Sequence, residues 1–223
     1  MQIKLENSSY YNRTILQREL MEYDGNALKV LIGCEFSDAV ASAFRAKGDF
    51  AVSCDLRPSE SADGIHLLGD VTMAIRSLDW DIIIIHPPCT ALACSGNRWY
   101  GVGQPKHAER LEAIDWTMAL WEQAIATAPC VALENPVGVL PMKATQYIQP
   151  YEFGHPEQKR TGLWLHNLPP LRPTNNVKKQ MESLPLSERQ RVWYLPPSAD
   201  REKERSRTYA GIAAAMASQW RGQ

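Results

Sequence analysis

The 223-residue chain contains no run of eighteen apolar residues, which excludes a hydrophobic helical span and predicts no membrane partner. The opening residues, Met1-Gln2-Ile3-Lys4-Leu5-Glu6-Asn7-Ser8-Ser9, show no charged-then-apolar leader, so a soluble, cytoplasmic protein is expected. Cysteine is sparse and odd in number: five residues, with no Cys-x-x-Cys pair. That count argues against a disulfide framework and fits a reducing compartment. Cys89 and Cys94 are five apart with no matching Cys/His pair elsewhere, so no metal site is expected. Also missing is a Gly-x-Gly-x-x-Gly fingerprint. The first turn reads Gly33-Cys34-Glu35-Phe36-Ser37-Asp38, which removes the pyrophosphate cradle of a dinucleotide enzyme. No internal repeat is present.

What remains is a chain with 44% hydrophobic residues, enough for one substantial core. Net charge is −1, unevenly spread: residues 1–150 carry 12 basic and 18 acidic side chains, residues 151–223 carry 12 and 7. The carboxyl-terminal third is therefore where an anionic partner would be sought, although imbalances of this size are common in ordinary proteins.

Hydrophobic periodicity predicts strands at 27–33, 50–56, 65–68 and 81–85, with a helix from about Ser37 to Lys47 after the first. Leu111, Ile114, Met118, Trp121, Ile125 and Ala128 recur at spacings of three and four, predicting an amphipathic helix over 107–128. A fifth strand runs through Val131-Ala132-Leu133, and Ile212, Ala215, Met216 and Trp220 mark a last helix. Strands alternating with helices imply an α/β fold with a mostly parallel, Rossmann-like sheet and helices on both faces. Residues 1–26 read as a peripheral arm or helix.

The chemistry concentrates at two strand ends. His86-Pro87-Pro88-Cys89-Thr90 follows Asp81-Ile82-Ile83-Ile84-Ile85, placing Cys89 on a stiff turn beyond a buried strand. In open α/β sheets, ligands gather beyond the carboxyl ends of the strands. A single cysteine is more often packing than function, and a single glutamate is as readily a surface or cap residue as a functional one. Cys89 together with Glu134, which ends the next apolar strand in Glu134-Asn135-Pro136, is a more specific combination. It suggests attack on an electron-poor ring. Asp55, ending the second strand, is placed to accept from ribose hydroxyls, a helix or turn cap being its plainer role, and Asp70, past the third, to hold an adenine amino group beside Val71; neither signal is specific by itself. An adenosine cofactor without a pyrophosphate fits this set, S-adenosylmethionine foremost.

Pro87-Pro88-Cys89, Glu134-Asn135-Pro136 and Gly154-His155-Pro156-Glu157-Gln158-Lys159-Arg160 occur in the order found in DNA (cytosine-5) methyltransferases. The chain resembles a small, phage-type member of that family over residues 28–172 and again at 205–220, where Arg205-Ser206-Arg207-Thr208-Tyr209-Ala210-Gly211 is similar to the closing motif. The resemblance implies a methyltransferase core at 27–172 and a terminal helix at 205–223 returning to it, in a bacterial or phage-infected cell. It implies Cys89 as the nucleophile at cytosine carbon 6, Glu134 protonated or sharing a proton with ring N3, and Arg160 gripping the base carbonyl. Cofactor contacts are expected from Glu35, Phe36, Ser37, Asp55, Leu56, Asp70, Val71, Pro87 and Ser206. Substrate contacts are expected from Asn135, Gln158, Arg189 and Arg191.

The chain departs from the family pattern in four places. Asp38 stands where a glycine is usual, His86 where a small residue is usual, and Gly162 where a second arginine is usual. The target-recognition domain is reduced to Pro-rich residues 173–204, too short for an independent core and suited to a lid or strap. Duplex DNA, reached by base flipping, is the leading expected substrate; single-stranded nucleic acid, a free cytosine nucleotide, or a catalytically inactive binding or decoy protein of the same fold are the alternatives. The strap's Trp193 and Tyr194, beside Arg189 and Arg191, would stack on a base or cover the sheet edge.

Overall fold

The computed structural model describes residues 1–6, 9–198 and 200–221. Eight strands form one sheet: β1 (Gln2–Lys4), β2 (Lys29–Gly33), β3 (Phe50–Asp55), β4 (Ile65–Leu68), β5 (Ile82–Ile85), β6 (Cys130–Pro136), β7 (Gln146–Ile148) and β8 (Thr161–His166), ordered β1-β4-β3-β2-β5-β6-β8-β7. The pairs from β1 to β6 are parallel, and β8 runs antiparallel to both β6 and β7. The protein is thus α/β with a mostly parallel, mixed sheet. No helix among the described residues is long and apolar enough to cross a membrane.

The central strands are apolar throughout because both their faces are covered. Leu31, Ile83, Ile85, Val131 and Leu133 face one layer, where Leu16, Ala74, Ile75, Leu120 and Ala124 pack from helices Ser9–Leu20, Val71–Ile75 and His107–Thr127. Val30, Ile32, Ile82, Ile84 and Ala132 alternate to the other face and meet Val40, Ala41 and Phe44 of helix Ala39–Arg45 and Ile212, Ala213 and Met216 of helix Ala210–Gln219. The period-two alternation of a strand sorts the four consecutive isoleucines between the two layers.

Three expectations need correction. The first 26 residues are not merely peripheral, because β1 pairs with β4 and Leu16 is fully buried. The long helix is rotated against the expected stripe: Arg110, Thr117, Leu120 and Ala124 are buried and Leu111 is 50% exposed, while Trp121, Ile125 and Ala128 of that stripe do pack against the core. Residues 161–166, where no strand was expected, form a sheet strand beside β6. Among its described residues, segment 173–204 holds short helices at Lys178–Ser183, Leu186–Arg189 and Arg191–Tyr194 and the start of helix Arg201–Ser206.

Candidate active site

From β2 the chain moves outward through β3 to β4, then crosses back to β5 on the opposite side of β2. The strand order therefore reverses at the β2/β5 boundary, and the crevice beyond such a reversal is where doubly wound sheets bind ligands. A cavity of about 620 Å³ opens there, within the usual range for small-molecule sites.

Register explains which side chains meet. Gly33, Ile85 and Leu133 are aligned neighbours across β2, β5 and β6, so the next residues, His86 and Glu134, emerge side by side. His86 Nδ1 lies 3.1 Å from Glu134 Oε2, with both side chains largely buried. One step further, Asn135 Nδ2 donates to the Pro87 carbonyl at 2.8 Å, tying the proline turn to β6. Cys89 and Glu134 line the same cavity.

The first turn solves the missing glycine in its own way. Asp38 adopts the left-handed conformation, φ 63°, in which glycine is favoured, as does Cys34 at φ 59°. Asp38 is buried and ion-paired to Arg45, whose Nη1 donates to Oδ1 at 3.1 Å. Glu35 is buried as well; its Oε1 accepts the Val40 amide at 2.7 Å and its Oε2 the Ala41 amide at 3.2 Å, so it caps helix Ala39–Arg45. Gly33 must be glycine, because a Cβ there would stand 2.5 Å from Val71 Cγ2.

Of the expected cofactor contacts, Glu35, Phe36, Ser37, Asp55, Leu56, Pro87 and Ser206 line the cavity. Asp70 and Val71 do not: Asp70 caps helix Val71–Ile75 through the Thr72 amide at 2.8 Å, and Val71 packs beneath Gly33. Asp55 has a turn role too, accepting the Arg57 amide at 2.8 Å, yet it remains on the cavity wall.

The structure places Arg160 outside the cavity, with its guanidinium 4.3 Å from the centre of the Tyr147 ring. Its neighbour Lys159 lines the cavity instead, and Lys159 Nζ donates to the carbonyls of Arg205 at 2.7 Å and Arg207 at 3.3 Å. Adjacent residues of an extended segment point to opposite sides, so one step in register exchanges the two. Gln158, Arg189 and Arg191 are also outside. Gln158 Oε1 accepts from Gln190, the Gln158 amide donates to the Arg189 carbonyl, and Arg191 is paired with Glu157 at 3.1 Å. Trp193 and Tyr194 are about half exposed and likewise away from the cavity, so neither covers the sheet edge in full nor reaches the site.

Sequence reasoning missed Arg110, Arg201 and Arg205. Arg110, only 5% exposed, donates to the carbonyls of Ala91 and Ala93 and to Asn97 Oδ1 at 2.7, 3.2 and 2.8 Å, bracing the loop after Cys89 from below. Its one sequence signal was position: it falls on the buried stripe of helix His107–Thr127, where a cation needs several acceptors. Arg201 and Arg205 come from helix Arg201–Ser206, which covers one side of the cavity. That helix is fastened to the loop after β3 by Arg57–Glu202 at 3.5 Å, Lys203–Glu60 at 2.5 Å and Arg207–Glu60 at 2.7 Å.

Charge distinguishes the thiols. Burial pushes Cys34 up to about 12, and the Asp55 and Asp70 carboxylates add to the effect, so it stays a thiol. Burial also raises Cys89, but there Lys159 and Arg205 oppose it, with Glu134 acting in the raising direction. Cys94 is exposed and does not line the cavity. Burial pushes the Glu134 carboxyl up, yet the His86 hydrogen bond and charge, followed by Lys159, outweigh it and leave Glu134 below the ordinary carboxylate value. That direction favours the carboxylate form of Glu134 before a base is bound.

No family model matches the chain, and no curated protein matches it. Among the described residues there is no group of three or more His, Cys, Asp or Glu side chains arranged to hold a metal ion.

Proposed function

We propose that the protein is an S-adenosylmethionine-dependent methyltransferase acting on carbon 5 of cytosine in DNA. The observation that carries this reading is the convergence of Cys89 and Glu134 on one cavity at the switch point of the sheet. Cytosine carbon 5 is a poor nucleophile. The Cys89 thiolate adds at carbon 6 and raises electron density at carbon 5, and Glu134 engages N3 and the exocyclic amino group. Lys159, near enough to lower the Cys89 pKa, favours the thiolate and stands where the family resemblance put an arginine. Asn135 keeps the Cys89 turn in place.

The residues fit an adenosine cofactor. Asp55 on the cavity wall suits a ribose diol, Phe36 offers an apolar face, and the turn from Gly33 to Asp38 lacks a pyrophosphate cradle. When bound, S-adenosylmethionine supplies an electrophilic methyl group. Glu35, Phe36, Ser37, Asp55, Leu56, Pro87 and Ser206 would hold it.

A second substrate reading, single-stranded nucleic acid or a free cytosine nucleotide, has its own support. Arg191, Lys203, Arg207 and Arg221 are paired with carboxylates of the chain itself, so much of the positive charge in the carboxyl-terminal third is already answered. Incubation with tritiated methyl donor and, separately, duplex DNA, single-stranded DNA, RNA and dCMP tests both. Methylation of long DNA, weakening as salt rises with a log–log slope near −0.9 per phosphate neutralised, supports the duplex reading. Full turnover on dCMP with little salt dependence replaces it, and no transfer to any cytosine substrate overturns the methyltransferase reading.

A further inference from the structure

Two histidines beside this sheet are bonded in different ways. His66 uses both ring nitrogens inside the fold, Nδ1 with Ser53 Oγ and Nε2 with the Arg57 carbonyl, each at 2.9 Å, as a structural histidine does. His86 uses one. Its Nδ1 meets Glu134, while its Nε2 is buried with no partner. An unpaired buried nitrogen is costly and calls for an explanation, of which a catalytic role is one.

Glu134 has a shortage that His86 can supply. Addition of Cys89 at carbon 6 pushes an electron pair onto N3, which must take a proton, yet the resting Glu134 is a carboxylate. The titratable side chain in hydrogen-bond contact with that carboxylate is His86. On the reading proposed above, on which this inference rests, we propose that His86 is a positioning residue that holds the proton Glu134 passes to the base. The imidazolium gives its Nδ1 proton to Glu134 Oε2 as Glu134 gives a proton to N3. The Sγ–C6 bond forms from the thiolate pair, the C5=C6 pair becomes C4=C5, and the former N3=C4 pair takes the proton. The thiol proton of Cys89 leaves to water. The C4=C5 pair then forms the bond from carbon 5 to the methyl group as the N3 pair restores N3=C4, and the sulfonium donor keeps the broken C–S pair as a thioether. Water removes the carbon 5 proton, that C–H pair becomes C5=C6, the Sγ–C6 pair leaves with Cys89, and the N3 proton returns through Glu134 to His86.

Charged and titratable groups face the ring from several elements. Glu134 faces it from β6, and Glu35, capping the helix after β2, feels its charge. Cys89 lies on the same turn, and Lys159 before β8 and Arg205 from helix Arg201–Ser206 bring opposing positive charge to the cavity. Two carboxylates thus flank the imidazole, and activity depends on the protonated form. Loss of that proton as pH rises therefore works against the gain in Cys89 thiolate.

The test uses His86→Asn, whose amide can still donate to Glu134 but carries no transferable proton. Methyl transfer and S-adenosylmethionine binding are measured for the full chain. Expected are an unchanged cofactor affinity, a KM for the cytosine substrate within about threefold, and a kcat lower by about 10²-fold, the scale of general acid–base assistance. With pH, kcat of the variant should rise more steeply than that of the wild type, because only the gain in Cys89 thiolate remains once the His86 proton is gone. In ¹⁵N-edited spectra of the wild-type protein, a slowly exchanging Nδ1 proton should be present and should be lost in Glu134→Ala. An active wild type with an H86N variant of unchanged kcat and pH profile overturns this inference alone, as does absence of the protected Nδ1 proton, a measurement that needs no variant to fold. A wild type inactive on every cytosine substrate overturns the function and this inference together.

Discussion

Asn135 and Pro87 join the two halves of the site: the Asn135 amide donates to the Pro87 carbonyl at 2.8 Å, so the strand end that carries Glu134 also holds the turn that carries Cys89. Asn135 is 1% exposed, so no water replaces a lost donor easily. Asn135→Ala is expected to cost about 1–3 kcal/mol of folding stability, the penalty for stranding a buried acceptor, read by urea denaturation. Methyl transfer should fall further than stability alone explains, because the turn is released.

Cys89→Ser should abolish methyl transfer while leaving S-adenosylmethionine binding nearly unchanged, since the thiol addresses the base. DNA or nucleotide carrying 5-fluorocytosine should give a stable covalent adduct with the wild type, because fluorine blocks the elimination that frees the cysteine. Mass spectrometry places the adduct. Finding it on Cys94, or finding none with an active substrate, removes Cys89 from its role.

Thiol reactivity should follow the electrostatics of the cavity. Burial raises the Cys89 pKa, so the thiolate is scarce at neutral pH and grows about tenfold per pH unit on the way up to it. Iodoacetamide labelling of Cys89 is expected to be slow at pH 7 and to accelerate through pH 9. Removing the opposing cation with Lys159→Met should move that rise to higher pH. Labelling of Cys89 at full rate by pH 7 contradicts the assignment.

Asp55→Ala should weaken S-adenosylmethionine binding by about 1–3 kcal/mol, the range for hydrogen bonds to a charged group, measured by calorimetry with folding checked by circular dichroism. Asp70→Ala offers the contrast. Asp70 caps a five-residue helix and does not line the cavity, so its loss should lower stability by about 1 kcal/mol and leave cofactor affinity unchanged.

The parts legible in the sequence were those with a strong local pattern. Ile82–Ile85 reads as a buried strand because layers on both faces demand apolar residues, and Cys89 and Glu134 follow directly from where β5 and β6 end. Strand β8 was hidden by its composition: Gly162 lowers strand propensity, and four successive buried residues show no alternation. The choice between Lys159 and Arg160 depends on register against β6, which no local pattern carries. Arg110 was obscured because its apolar-stripe position is occupied by a charge, made tolerable by three acceptors from a loop 13–19 residues earlier. Asp38 shows the limit of glycine counting: the turn needed a left-handed residue, and an aspartate held by Arg45 meets that need.

Both margins of the eight-stranded sheet are strands of three residues, β1 and β7. A sheet margin presents unpaired amides and carbonyls to any extended chain that passes, and the purchase it offers grows with its length. Here the long, strongly apolar strands lie inside, each paired on both sides, while the outermost pair expose only a short ladder. The same arrangement that sets the site at the sheet's centre therefore leaves little template for strand-by-strand aggregation, even at high protein concentration.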